Sequence, residues 1–191
     1  MTHPTSSHPV ARGPFDALDA EWAVLCRRHR RSRVSAGWGQ REPALSAAAR
    51  LEEVIPPLGI DRSAICRALA RLAAGGDDLA ARALLQLLVP GLVRLAARWR
   101  WQLGGIAAAG WEVLGHASVY IARLRHVDIG CSPAGYVLRS VERDLVDNAI
   151  RAAQIRGELA RDEPDGDWSV LDGHHRAASA EDTALAGPLL W

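Results

Sequence analysis

The sequence predicts an all-α protein, and three observations carry that expectation. Apolar residues recur at helical spacing in segment after segment, no stretch sustains the apolar–polar alternation of a strand, and β-branched residues are few. Composition agrees: 49% apolar and 24% charged residues describe an ordinary globular chain. Its 191 residues suffice for one medium domain or two small ones. A wholly disordered chain, a collagen and a small disulfide scaffold are thereby excluded. All 23 basic residues are arginine, and alanine is used 34 times. We read this as the bias of a very GC-rich coding sequence, so a single arginine is weak evidence of a site. Net charge is +1. Any nucleic-acid partner must therefore be met by a local patch.

Residues 1–15 read as a disordered arm, rich in Pro, His and Ser. A first helix is expected over Asp16–Arg31, with Leu18, Trp22, Leu25 and His29 on one face. It runs into five arginines, Arg27, Arg28, Arg30, Arg31 and Arg33. These suit either a phosphate or acidic partner or the negative pole of a helix end in water. Residues 34–42 contain two glycines and read as a loop. Pro43 suits a helix start, with Leu45, Ala48, Leu51 and Ile55 aligned and Pro56-Pro57 as the stop. Asp61 or Ser63 can cap a third helix, whose stripe is Ile65, Leu69 and Leu72 and whose end is Gly75-Gly76.

Asp77 or Asp78 caps the next helix, through Leu79, Ala83, Leu84, Leu87 and Leu88. Pro90 implies either a kink or a new helix, because an interior proline costs about 3 kcal/mol. Leu92, Leu95, Ala96 and Trp99 continue the buried face, and Gly104-Gly105 close it. A further helix spans Ala107–Leu124. Ser132 then caps and Pro133 opens a long helix to about Ala160, with Val137, Val141, Leu145 and Ala149 as its apolar face. The chain thus divides into the arm 1–15, an N-terminal helical section 16–75, a helical core 76–160 and a flexible acidic and Ala-rich tail 161–191.

Catalytic constellations are thin. There is no HExxH, no GxSxG and no CxxC, and Cys26, Cys66 and Cys131 are widely spaced. Glu52-Glu53 and Asp77-Asp78 are adjacent, which puts each pair about 100° apart on a helix and precludes a shared proton site. We expect no enzyme, no metal and no cofactor. The first residues lack a signal peptide's apolar core, and Leu79–Ala97 is interrupted by Arg82, Gln86, Pro90 and Arg94. The expectation is a cytoplasmic protein with no membrane partner.

From Gly76 onward the order of segments is informative. A helix, a proline and a basic helix ("GGDDLAARALLQLLVPGLVRLAARWR") precede an amphipathic helix ("WEVLGHASVYIARLRHVDI"). An aromatic-plus-basic helix follows ("CSPAGYVLRSVERDLVDNAIRAAQ"). Over about 80 residues (76–156) this order resembles region two of the sigma-70 family of bacterial RNA polymerase initiation factors. The likeness is to the short extracytoplasmic-function type and its divergent actinobacterial relatives. The resemblance implies a helical bundle that binds core RNA polymerase through the second segment and promoter minus-ten DNA through the third. It also implies an anti-sigma protein as a further partner. On the family's run "AW-L-YRIARNLALDHLRR", Tyr136 falls on the aromatic, Arg139 on the first arginine, Arg143 on the Asn position and Arg151 on the trailing base. Leu145 to Asn148 fall on "ALDH".

The implied DNA-binding residues are Tyr136, Arg139, Arg143, Asn148 and Arg151. The implied polymerase-binding residues are Trp111, Glu112, Leu114, Tyr120 and Arg123. Their chemistry suits an opened duplex, since a ring can stack on an unpaired base, guanidinium groups neutralise phosphates, and Asn can bond a base edge. The sequence also departs from the family. Glu112 is the one acid in Ala107–Leu124, and Glu142 and Asp144 dilute the basic face of the third helix. The tail ends after the first residues of what would be a second, helix-turn-helix module, so a complete second module is not expected. Two other readings stand beside this one. Asp61–Ala74 could read DNA without polymerase through Ser63, Arg67 and Arg71, as a regulator of a mobile element. Or the chain could be a sigma-mimicking adaptor that binds a protein and never melts DNA.

Overall fold

The computed structural model describes residues 13–30, 34–56, 62–126 and 132–162. The described residues are all-α, with six α-helices, three short 3-10 turns and no strand. The chain divides into two units, Met1–Ala149 and Ile150–Trp191. Of the second, residues 150–162 are described, and they are helical.

Helix α1 is Pro14–Arg28. It begins two residues before the expected start, because Pro14 lacks only an N–H that a first turn leaves unbonded anyway. Pro14 and Phe15 therefore belong to the fold, not to the arm; residues 1–12 lie outside the described residues, as do Arg31 and Arg33. Pro14 is buried, and a Cβ at Gly110 would run into its ring and come within 3.2 Å of Phe15. α1 is also tied to the helix that holds Arg82 and Gln86: Arg82 donates to the Leu18 carbonyl at 2.6 Å, and Gln86 to Asp19 at 2.5 Å.

The expected loop 34–42 is instead a helix, α2 (Val34–Arg41). Its two glycines weaken it locally, but Trp38 is 1% exposed in the core, and tertiary burial outweighs propensity in so short a helix. Gly39 is required by proximity, since a Cβ there would lie 2.9 Å from the Ser46 backbone. The helix expected from Pro43 is replaced by two 3-10 turns, Pro43–Leu45 and Leu51–Val54. Between them the Glu53 carboxylate accepts from the Ala49 and Arg50 amides at 2.8 and 3.2 Å, which supplies bonds a continuing helix would have made along the backbone. Leu45, Ala48 and Leu51 are buried as expected, and Ile55 is half-buried.

Helix α3 (Ser63–Ala74) ends as expected at Gly75-Gly76. Gly76 has φ +90°, the Asp77 amide bonds the Leu72 carbonyl, and the Gly76 amide bonds that of Ala73. This is a left-handed helix stop that suits glycine. Asp61 lies outside the described residues; Arg62 occupies the N-cap position and makes no side-chain cap.

Helix α4 (Asp78–Trp99) is the centre of the bundle, capped by Asp77, whose carboxylate accepts from the Ala80 amide at 3.0 Å. It is one helix through Pro90, not two. Nine of its residues are buried, Leu84 and Leu92 among them, on both sides of the proline, and that packing outweighs a cost of about 3 kcal/mol. By length and composition α4 could cross a membrane, contrary to the expectation for Leu79–Ala97; half of that stretch is buried within the structure.

Helix α5 (Ile106–Ala122) follows, closed by the turn Arg123–His126, whose Leu124 is buried. Helix α6 (Pro133–Asp162) begins at Ser132, whose hydroxyl accepts from the Gly135 amide at 3.3 Å. Within the first unit α6 buries Val137, Val141 and Leu145. It approaches α4 at Gly91, where a Cβ would lie 2.9 Å from Leu138. The tail from residue 163 lies outside the described residues.

Candidate functional site

The core stripe of α6 dictates where its other residues go. With Val137, Val141 and Leu145 facing inward, residues one step away turn to the neighbouring helices and the rest face out. Tyr136 flanks the stripe on the α5 side. Its ring meets that of Tyr120 edge-on, with centroids 5.9 Å apart and planes at 88°, a favoured aromatic geometry. Tyr136 is half-buried there. Arg139 and Arg143 are exposed, and neither has an ion-pair partner among the described residues. The Arg139 guanidinium lies back over Gly135.

The two acids expected to dilute this face do not. Glu142 pairs with Arg98 of α4. Asp144 is directed at α5: Tyr120 donates its hydroxyl to both carboxylate oxygens at 2.8 Å, and His116 Nδ1 lies 3.0 Å from Oδ2. Both carboxylates are engaged on neighbouring helices, so the outer face of α6 keeps Tyr136, Arg139 and Arg143 together. Asp147 is exposed one turn beyond Arg143. Asn148 is exposed too, but five residues from Arg143 is about 140° around the helix. It lies in line with Val141 and Leu145, on a different face. Arg151 is exposed and belongs to the second unit.

On α5 the expected set separates. Trp111 is 59% exposed and Glu112 is also exposed. Leu114 is buried in the core, so it cannot meet a partner as expected; the i, i+3, i+4 stripe of Val113, Leu114, Ala117 and Ile121 claims it. Tyr120 is half-buried toward α6, and its hydroxyl is pushed above the usual phenol range by burial and by Asp144. Arg123 lies 5.5 Å over the Tyr120 ring, as a cation on an aromatic face. What α5 presents outward is Trp111, Gly115 and Val119, four residues apart, with Glu112 and His116 beside them in a shallow depression.

His116 and Asp144 are the residues sequence reasoning missed. Glu112, His116 and Tyr120 recur at intervals of four, a polar ridge that periodicity does reveal. Its partner Asp144 lies on another helix. The alternative reading face on α3 is also reduced: Arg67 is exposed, but Arg71 donates to Glu42, at 2.8 Å through Nε. That bond holds the buried Glu42 carboxyl below the usual range. Among the described residues no group of three His, Cys, Asp or Glu side chains could hold a metal. No family model, curated protein or solved structure matches the chain.

Proposed function

We propose that the chain is a sigma-like transcription initiation factor that contacts core RNA polymerase and promoter minus-ten DNA. The observation that carries the reading is the outer face of α6. A half-buried aromatic ring and two exposed arginines lie along it; Glu142 and Asp144 are engaged on α4 and α5, and Asp147, one turn beyond Arg143, is the acid that stays exposed there. In a chain of net charge +1, two exposed arginines against one exposed acid leave a local positive excess of the sign a phosphate backbone requires. The polymerase contact would be Trp111, Glu112 and Val119 on the outward side of α5, with Arg123 at its end. Leu114 is not part of it.

The test is retardation of a fork-junction promoter fragment by the protein with core polymerase. Tyr136→Ala removes one base stack, worth about 1–3 kcal/mol, and so weakens binding several-fold or more. Arg143→Ala removes one phosphate contact and lowers the slope of log K against log salt by about 0.7–0.9. No retardation at low salt and no co-elution with core polymerase defeat the proposal. The adaptor reading is favoured by one observation, the engagement of the Tyr136 ring with Tyr120. It predicts co-elution with polymerase and DNA retention insensitive to Tyr136→Ala.

A further inference from the structure

We infer that the cavity between α3, α4 and α6 is a binding site for a small molecule carrying an oxyanion head, carboxylate or phosphate, on a short apolar body. The cavity has a volume of about 290 Å³, at the small end of the range for ligand pockets. Two arginines line it: Arg62, at the N-terminal edge of α3, and Arg94, from α4. None of the described lining residues is acidic. Arg94 has no ion-pair or hydrogen-bond partner among the described residues. Arg62 donates one terminal N–H to the Pro56 carbonyl at 2.6 Å, while its Nε is buried without a partner. Two guanidinium groups lining one cavity with no carboxylate among its described lining residues repel. An oxyanion bound beside them offsets that repulsion, because a guanidinium donates to a carboxylate or phosphate in a matching fork.

The rest of the wall sets the body of the ligand. Leu87, Leu88, Pro90 and Leu138 are apolar. Cys66 is buried, and its thiol is pushed up by that burial, so it is protonated and adds apolar surface, not charge. The N-terminal ends of α3 and α6 both border the cavity through Ser63 and Ser132, and the positive ends of helix dipoles favour an anion. The occupant would touch α3, α4 and α6 at once. This inference stands apart from the transcription reading and survives its failure.

Titration of the full-length protein with octanoate and with octyl phosphate, followed by amide NMR shifts of α3, α4 and α6, tests it. Inorganic phosphate probes the head alone and octanol the body alone. For a ligand of this size we expect a Kd of about 1 mM or tighter with octanoate or octyl phosphate, weaker binding of phosphate, and no comparable binding of octanol. Arg94→Gln should weaken binding about tenfold, the effect of one charge-assisted bond. Arg94 is exposed and unpartnered, so this variant keeps the fold, which a circular dichroism spectrum and melting curve verify. Arg94→Glu, which places a carboxylate at the cavity itself, should abolish binding. The inference is overturned if neither anion shifts the lining amides at about 10 mM, roughly ten times the expected Kd. Equal binding of octanol and octanoate, or unchanged affinity in Arg94→Gln, overturns it as well.

Discussion

The joint between α5 and α6 makes a quantitative test of the site. Asp144 accepts from the Tyr120 hydroxyl with both oxygens at 2.8 Å and lies 3.0 Å from His116 Nδ1. Hydrogen bonds to a charged group contribute about 1.5–3 kcal/mol when water is excluded. Here the Asp144 side chain is 31% exposed and that of His116 24%, so solvent screening reduces the figure. We expect Asp144→Ala to cost about 1–2 kcal/mol and Tyr120→Phe about 0.5–1 kcal/mol. Because the two residues share one interaction, the double variant should fall short of the sum by about 0.5–1 kcal/mol. Urea unfolding followed by helical circular dichroism measures all three. A second readout isolates the bond from general destabilisation. The Tyr120 phenol is raised chiefly by burial and next by Asp144, so Asp144→Asn should bring its alkaline titration part of the way back toward the usual value. An Asp144→Ala loss below about 0.3 kcal/mol, or strict additivity with Tyr120→Phe, would refute the reasoning. The surface held in place is the relevant one, since the ring that Asp144 anchors is the ring on which Tyr136 rests.

Three further outcomes follow from the packing. Trp38→Phe keeps most of the apolar bulk but loses the indole bond to Asp77 at 2.8 Å, and should cost about 1–2 kcal/mol in urea unfolding. Trp38→Ala should cost about 3–5 kcal/mol. Glu42 is lowered by its bond to Arg71, so its contribution is complete above the unfolded value near 4.3 and is lost as pH falls through the lower folded value; Glu42→Gln should flatten the acid limb of a stability–pH profile below about pH 4. Gly110→Ala places a methyl against Pro14, and should cost about 1–3 kcal/mol from overpacking, less up to about 1 kcal/mol of helix propensity. Faster amide exchange over residues 15–20 would show α1 loosening.

How far the fold was legible depends on whether its cause is local. The starts of α4 and α6 and the end of α3 are written in adjacent residues: Asp77 before Ala80, Ser132 and Pro133 before Gly135, and Gly75-Gly76 after Ala74. Each structural outcome follows from chemistry within four positions. The helix α2 was hidden for the opposite reason. Two glycines in nine residues argue for a loop, and the burial that overrules them depends on Trp38 reaching Asp77, 39 residues away. Pro90 shows the same limit, because whether it divides a helix depends on what packs on either side. At the site, the exposure of Arg139 and Arg143 follows from spacing against the apolar stripe. The burial of Leu114 was equally available from that arithmetic, since Leu114 lies one turn before Ala117 and Ser118 and two before Ile121. The resemblance to a partner-binding helix outweighed it. The partners of Glu142 and Asp144 were not available, being 44 and 24 residues distant.

The engagement of those two carboxylates also bears on how a chain of near-zero net charge could meet a phosphate backbone. With 23 basic and 22 acidic residues, such a contact depends on where the charges sit and not on their total. α6 turns two of its acids away from its arginines: Glu142 and Asp144 face helices that offer Arg98, Tyr120 and His116, while Arg139 and Arg143 turn to solvent with Asp147 one turn beyond. The separation makes the acids positioning groups as well as counterions. Glu142→Gln releases Arg98, adding positive charge near the face, whereas Asp144→Asn keeps a hydrogen-bonding partner for Tyr120 but removes its charge. If the face binds single-stranded DNA, both changes should strengthen binding at low salt, and the gain should fade as salt screens beyond about 8 Å. If the joint matters to the face through geometry, Asp144→Ala should weaken binding at every salt concentration even though it removes a negative charge. Opposite signs for Asp144→Asn and Asp144→Ala separate the two causes, and equal gains from both would leave the Tyr120 anchor with no role in presenting Tyr136.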